Sequence, residues 1–343
     1  MNAATARALT EAALTDLHPQ PDDIAADAIA GLSRRPKQLP SKYFYDAEGS
    51  RLFEAITRQP EYYLTRTELD LLEARMPSIA QAVGSGAHVV ELGSGSGRKT
   101  ELLLEGLREP VAYTPIEISR DMLMSSTARL AERFPRIQML PVCADFTTPV
   151  ALPAPQRSAR RTLVFFPGST LGNFTRDDGI QLLRSMRQTM RHDGCALIGI
   201  DLDKDPAMLE AAYNDAAGIT AEFTVNLLRR LNREIGSDFD LAQFRHRAEY
   251  VRERQRIETF LVSQRAQQVR VAGHRFDFAA GEAMQVEYSH KYSDQSFGEM
   301  AAAAGLRVSH GWNAQGDAFG LRLLQSRDPG PGIGDPEKHA PLS

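Results

Sequence analysis

Between His88 and Leu202 the chain repeats one unit: a short run that is apolar at nearly every position, then a stretch with helical spacing. The runs are HVVEL (88–92), VAYTPIEI (111–118), IQMLPVCAD (137–145), TLVFFPG (162–168) and CALIGIDL (195–202). Helices are predicted from about 98, from about 119 and over 176–192. A strand that is apolar on both faces must be covered on both faces, so alternation with helices predicts a parallel sheet between two helical layers. Right-handed crossovers then make it doubly wound, with its ligand crevice at the carboxyl ends of the strands.

The flanks read differently. Residues 1–20 are rich in Ala and Thr and are expected to fray. DDIAADAIAGLSRR (22–35) predicts a short helix, broken by PKQLP (36–40). An aromatic segment follows and leads into a helix from about Thr65, where Thr65 is expected to cap with Glu68. Residues 205–254 read as helical and polar, ending in AEYVRERQRIE. RIETFLVSQ (256–264), QQVRVAG (267–273) and AMQVEYSHKYS (283–293) alternate like antiparallel strands. A helix is predicted over 295–304, then a terminal hairpin from RVSHGWNA and AFGLRLLQS on the sheet edge. The domain reading is therefore a cofactor-binding unit, 66–204 plus 295–327, and a smaller α+β unit, 20–65 plus 205–294. The Pro/Gly-rich tail 328–343 is expected to be disordered.

Composition limits the function classes. With 40 basic and 44 acidic residues the net charge is −4, which argues against a nucleic-acid partner. Cys143 and Cys195 are the only cysteines, too few for a disulfide framework or a four-sulfur zinc site. No signal-peptide h-region and no bilayer-length apolar run are evident, so a cytoplasmic protein without a membrane partner is expected. His246, His274 and His290 lack a metal-ligand spacing.

GSGSGRKT (93–100) joins the first strand to its helix and nearly matches three nucleotide loops. A P-loop needs glycine before its lysine, and Arg98 stands there. A dinucleotide fingerprint needs G-x-G-x-x-G, and the third glycine, Gly97, comes one residue early. Glu117 ends the second strand, where a carboxylate accepts from ribose hydroxyls; NAD and S-adenosylmethionine share that ribose. The third strand ends Asp145-Phe146, a carboxylate for an adenine amino group and a ring to cover the base. The ordered set favours S-adenosylmethionine. Singly, each residue has a plainer reading: a helix cap for Asp145, a surface lysine for Lys99, packing for Tyr62 and Tyr213, a turn for Asn173, a solvated strand face for Glu287 and Ser289.

PKQLPSKYFYDAEGSRLFEAITRQPEYYLTRTE, ELGSGSGRKT, YTPIEIS, ADF, FFPGSTLGNF, DLDKD, AAYND and EYSHKYS together resemble the histidine-specific N-alpha-methyltransferases, over roughly residues 30 to 325. The resemblance implies a Rossmann-like class I methyltransferase sheet with a substrate-binding unit. It implies S-adenosylmethionine as methyl donor, S-adenosylhomocysteine as product and no metal. The activity it implies is trimethylation of the histidine α-amino group to hercynine for ergothioneine biosynthesis. Cofactor contacts would fall on Tyr45, Gly93, Lys99, Glu117, Asp145 and Phe146, with Gly95 beside them. Contacts to the substrate carboxylate and amine would fall on Tyr62, Asn173 and Tyr213, and to the imidazole on Glu287 and Ser289. Tyr45, Asn173 and Tyr213 are the implied catalytic set. The family often has Asp where Glu117 stands. Glu287 and Ser289 are two apart on a strand and so share a face. Fungal relatives act on other aromatic amino acids, so a different aromatic substrate is the first rival reading, and a nicotinamide oxidoreductase the second. A monomer is expected.

Overall fold

The structure, a computed structural model, describes residues 13–17, 23–94, 97–148 and 150–327. The expected tail at 328–343 and Gly95 of the first loop lie outside them.

The apolar runs form the sheet they predict. Its strands are β1 (Thr15–Asp16), β2 (Ala87–Leu92), β3 (Ala112–Glu117), β4 (Gln138–Met139), β5 (Val142–Cys143), β6 (Arg161–Phe166) and β7 (Cys195–Asp201). The terminal hairpin adds β13 (Leu306–Asn313) and β14 (Phe319–Ser326). The order is β1-β5-β3-β2-β6-β7-β14-β13, with β4 pairing β3. All pairs are parallel except β7 with β14 and β14 with β13. From β2 the chain winds out through β3 to β5, then returns to the other side with β6 and β7. The crevice between the carboxyl ends of β2 and β6 is therefore the switch point.

Two expectations are corrected here. The third run is interrupted: Pro141 lacks an amide proton, so it yields the two short strands β4 and β5. Part of the first twenty residues is also held, because Thr15–Asp16 pair in parallel with Val142–Cys143.

Helices α1 (Ile24–Leu32), α2 (Ala47–Ile56) and α3 (Leu64–Val83) precede the sheet; α4 (Arg98–Gly106), α5 (Arg120–Arg133) and α6 (Arg176–Met190) are its crossovers. The predicted Thr65–Glu68 cap does not form. Helix α3 begins at Leu64, after Tyr63, without a side-chain cap, and Glu68 turns inward instead. Helices α7 (Pro206–Ala211) and α8 (Ile219–Ile235) follow β7. The polar stretch then departs from the helical expectation: Phe244–Val251 is a strand, β8, edge partner of β9 (Arg256–Ser263). Only Phe244 and Ala248 of this strand are buried, and Arg245 and Arg247 between them are exposed, so its charge suggested a solvated helix. Strand β12 (Ala283–His290) completes the sheet β12-β9-β8, and β10 (Gln267–Val271) with β11 (His274–Phe278) forms a separate ribbon. Helix α9 (Asp294–Ala303), capped by a reciprocal Ser293–Ser296 box, returns the chain to the large sheet.

One apolar cluster gathers residues of 28–64 and 209–286, including Phe44, Tyr62, Tyr213, Phe223 and Val286. The faces of the large sheet are buried in two other clusters. The units meet where the 3-10 turn Thr170–Asn173 lies against β12. A Cβ on Gly172 would come within 2.8 Å of the His290 carbonyl oxygen, and His290 Nδ1 lies 2.9 Å from the Gly172 carbonyl oxygen. Gly172→Ala is accordingly expected to lower stability by about 1–3 kcal/mol through overpacking. Chemical denaturation measures this, and an unchanged midpoint would mean that turn and strand are not in close contact.

Candidate active site

Of the residues that the resemblance assigns to the cofactor, Gly93, Glu117, Asp145 and Phe146 gather at the carboxyl ends of β2, β3 and β5. Gly93 follows β2 with φ 71°, a conformation that favours glycine, and its missing Cβ would lie 3.5 Å from Phe146 Cε1. Phe146 in turn packs edge-on to Phe166, centroids 5.7 Å apart. Glu117 Oε1 accepts from the Ile118 and Ser119 amides at 3.0 and 3.2 Å, leaving Oε2 without a partner among the described residues. Burial raises the Glu117 carboxyl above its ordinary value. Asp145 Oδ1 accepts from the Thr147 amide and hydroxyl at 2.8 and 2.7 Å. That is the turn-forming role expected of an Asp at a strand end, and Oδ2 stays without a partner among the described residues. These groups fit an adenosine: a glycine turn admitting close approach, two carboxylates each with an oxygen to spare, and an aromatic face.

Lys99 does not stand free. Its ammonium pairs with Glu68, whose two oxygens also accept from the Gly168 amide at 2.9 Å each. Glu68 is buried and joins the loop after β2 to the loop after β6. Sequence reasoning missed it because its position suited a helix cap. Glu91, at the base of the first loop, accepts from Thr100 Oγ1 at 2.7 Å and from the Tyr113 hydroxyl, and burial raises its carboxyl to about 7.

The residues that the resemblance assigns to the substrate, together with Tyr45, come from four segments: 45–62, the turn at Asn173, the segment at Tyr213, and β12. Tyr45 precedes α2, whose cap Asp46 accepts from the Gly49 amide at 2.7 Å and from Asn226 Nδ2 at 2.8 Å, fixing the approach to Tyr45. Tyr45 is 44% exposed and packs edge-on to Phe53 and Phe223. Tyr62 stacks edge-on to Tyr213, centroids 6.4 Å apart. The turn carrying Tyr213 is tied down by His246 Nε2, 2.8 Å from the Tyr213 carbonyl oxygen, and by Glu61, which accepts from the Ala216 amide at 3.1 Å. Glu287 and Ser289 lie opposite Thr259 and Ile257 of β9, past the bulge that follows Gln285, and keep the predicted common face.

On that face the Ser289 and Tyr213 hydroxyls are 2.6 Å apart. The Glu287 charge is felt by Tyr45, Tyr62 and Tyr213. Burial and that charge raise all three phenols above their ordinary range. Glu287 and Tyr45 touch solvent through the cleft yet are ringed by protein, and this weakly polar surround lifts Glu287 to about 7, Lys291 opposing the rise. The side chains of Tyr45, Tyr62, Asn173 and Glu287 have no hydrogen-bond partner among the described residues. Asn173 ends the turn held against β12.

Beneath this layer lies a network that no sequence signal marked. Asp201, at the end of β7, is fully buried and accepts from the Tyr63 hydroxyl at 2.8 and 2.9 Å. Lys204 and Lys291 pair with it at 2.6 and 2.8 Å. Lys291 also donates to Tyr213 Oη at 3.0 Å and Ser289 Oγ at 2.9 Å. In the sequence, CALIGIDLDKD shows only that an apolar strand ends in charged residues.

The Glu287 carboxyl titrates near 7 folded and near 4.5 unfolded, so its stabilising effect is complete below about 4.5 and lost as pH rises through 7. Glu287→Gln, uncharged at every pH, should therefore exceed the parent in stability by roughly 1–3 kcal/mol above pH 7 and match it below about 4.5. Thermal melts across this range provide the check; a difference independent of pH would place the carboxylate in water.

The model of the family described as histidine-specific, SAM-dependent methyltransferases matches residues 24–326. The histidine N-alpha-methyltransferase of Mycolicibacterium smegmatis is 41% identical over 312 residues, 88% of this chain and 96% of that protein. The protein of the same name from Mycobacterium tuberculosis is 39% identical, covering 87% of this chain and 93% of its own. Ergothioneine biosynthesis protein 1 of Neurospora crassa is 33% identical over 84% of this chain, which spans 33% of that longer protein. With a match of this length and relatives of this identity, the chain belongs to the histidine-specific, S-adenosylmethionine-dependent methyltransferase family.

Proposed function

We propose that this protein methylates the α-amino group of L-histidine three times in succession, giving hercynine for ergothioneine biosynthesis. The observation that carries the reading is the pairing of Glu287 with Ser289 on one face of β12, opposite Tyr213. A carboxylate and a hydroxyl at that spacing can hold the two nitrogens of an imidazole, which a phenyl ring cannot match.

Bound S-adenosylmethionine supplies a methyl group on a sulfonium centre. In the proposed assignment Glu117 takes the ribose, Asp145 and Phe146 the adenine, and Gly93, Lys99 and Tyr45 the methionine portion. Tyr62, Asn173 and Tyr213 hold the α-carboxylate and amine of histidine. The raised Tyr62 phenol supports this: as a protonated hydroxyl it donates to the carboxylate and does not serve as the base that takes the ammonium proton, while Tyr213, bonded to Ser289 and Lys291, keeps an oxygen lone pair for the amine. The chain's contribution is then to orient a neutral amine in line with the methyl group and to keep other nucleophiles out. Residues 20–65 with 205–294 form the substrate domain, and 66–204 with 295–327 the cofactor domain. The enzyme is read as a cytoplasmic monomer without metal, membrane or nucleic-acid partner. No helix among the described residues is long and apolar enough to cross a membrane, and the net charge of −4 offers phosphates no general attraction.

Incubation with labelled S-adenosylmethionine and a panel of amino acids, read by mass, tests the proposal. Histidine carrying three added methyl groups is expected; methylation of another amino acid with none on histidine defeats it. In calorimetry, Glu287→Ala should weaken histidine binding by about 1–3 kcal/mol and leave S-adenosylhomocysteine binding unchanged.

A further inference from the structure

We infer that Lys291 is a specificity-determining positioning residue: it makes Ser289 a donor only, so that the site selects a ring with one N–H and one lone-pair nitrogen. The inference rests on the histidine reading above.

An ammonium has three N–H donors and no acceptor. Those of Lys291 are directed to Asp201 Oδ2, Tyr213 Oη and Ser289 Oγ at 2.8, 3.0 and 2.9 Å. Lys291 and Asp201 side chains are both 0% exposed, so water does not compete for these bonds. One lone pair on each hydroxyl oxygen is thereby occupied.

The two hydroxyls, 2.6 Å apart, must share one further proton. The phenol is the more acidic O–H and the poorer acceptor, so Tyr213 donates to Ser289. Ser289 Oγ then holds both its lone pairs against Lys291 and Tyr213. Its own proton is the one bonding capacity it has left. Glu287, ionised above pH 7, is its opposite there, offering lone pairs alone. Neutral imidazole matches that pair with one N–H and one lone-pair nitrogen. A pyrrole or indole ring, with an N–H alone, leaves the Ser289 proton unmatched.

Without Lys291 the serine oxygen regains a lone pair and can accept a ring N–H as well as donate. Removal of the tyrosine hydroxyl has the same consequence by another route and leaves the Lys291–Asp201 pair in place. Both variants are therefore expected to lose discrimination between rings, beyond any loss of affinity.

The experiment compares Lys291→Met and Tyr213→Phe with the parent, by calorimetry in the presence of S-adenosylhomocysteine. The ligands are histidine and the two β-pyrrolylalanines, which carry an N–H and no lone-pair nitrogen. S-adenosylhomocysteine affinity and the melting temperature report on the fold. The parent should prefer histidine, and in each folded variant that preference should shrink by about tenfold, the worth of one hydrogen bond. A folded variant that weakens all three ligands equally, or retains the parent's preference, overturns the inference. Should Lys291→Met fail to bind S-adenosylhomocysteine, Tyr213→Phe alone decides. A parent that binds none of the three ligands instead refutes the histidine reading itself.

Discussion

Asp201 is a carboxylate with no access to water, at the end of a central strand, and its side-chain partners join the strand's own exit to two distant parts of the chain. Tyr63 reaches it from the start of α3, Lys204 from the loop that leaves the sheet, and Lys291 from just beyond β12. The Ser169 hydroxyl accepts its backbone amide at 2.9 Å. A buried ion costs several kcal/mol unless charge and hydrogen bonds compensate it, and removing one partner from such a group typically costs about 3–5 kcal/mol. Here two cations and a phenol converge on one carboxylate. The cofactor sheet and the strand bearing Glu287 are thus locked in one arrangement, and the turn of residues 170–173 is held between them. A purely apolar contact would allow sliding by a fraction of an ångström; a saturated polar network does not.

The polar groups of the cleft fall into two layers. In the lower layer, Asp201, Lys204, Lys291, Tyr63, Glu68 and His246 spend their bonding capacity within the protein: on one another, on Lys99, Tyr213, Ser289 and Thr224, and on backbone. In the upper layer, Tyr45, Tyr62, Asn173 and Glu287 have no such partner among the described residues, and Glu117 and Asp145 each have one oxygen in hand. Polar groups that line a cleft without a protein partner are free to meet a ligand's donors and acceptors, as in the proposed assignment. The lower layer gives the upper its rigidity, as the ties on the Tyr213 carbonyl oxygen and the Gly168 amide illustrate.

The sheet was legible because burial on both faces leaves a continuous apolar pattern, and right-handed crossovers made it doubly wound, while its strand order came only with the structure. The hairpin at the edge and the crossover helices were equally clear. Strand β8 was not, because FRHRAEYV is charged on its outer face and its partner lies several residues on, so local composition favoured a helix. Glu68 was misread for a related reason: spacing to Thr65 suggested a local cap, while its real partners are 31 and 100 residues away. The upper layer of the site was named from the sequence through resemblance, since a lone tyrosine or serine carries no signal. The lower layer escaped, because an Asp–Lys pair separated by ninety residues leaves nothing periodic to find.

A methyltransferase acting on the α-amino group meets the same amine and carboxylate in every amino acid, so groups that grip those atoms cannot choose among substrates. Selection must come from whatever faces the side chain, and in the proposed reading that is one strand, β12, with Glu287 and Ser289. A carboxylate poised near 7 and a hydroxyl together make a weak filter if the hydroxyl is free to rotate, since serine both donates and accepts. Rigidity beneath the serine is what turns chemical type into direction. The buried ammonium of Lys291 supplies it, and the same ammonium, through Asp201, holds the strand to the sheet. Substrate choice and domain packing therefore draw on one network, and a change of ring specificity achieved at Glu287 or Ser289 leaves the fold's anchor untouched, whereas one achieved at Lys291 does not.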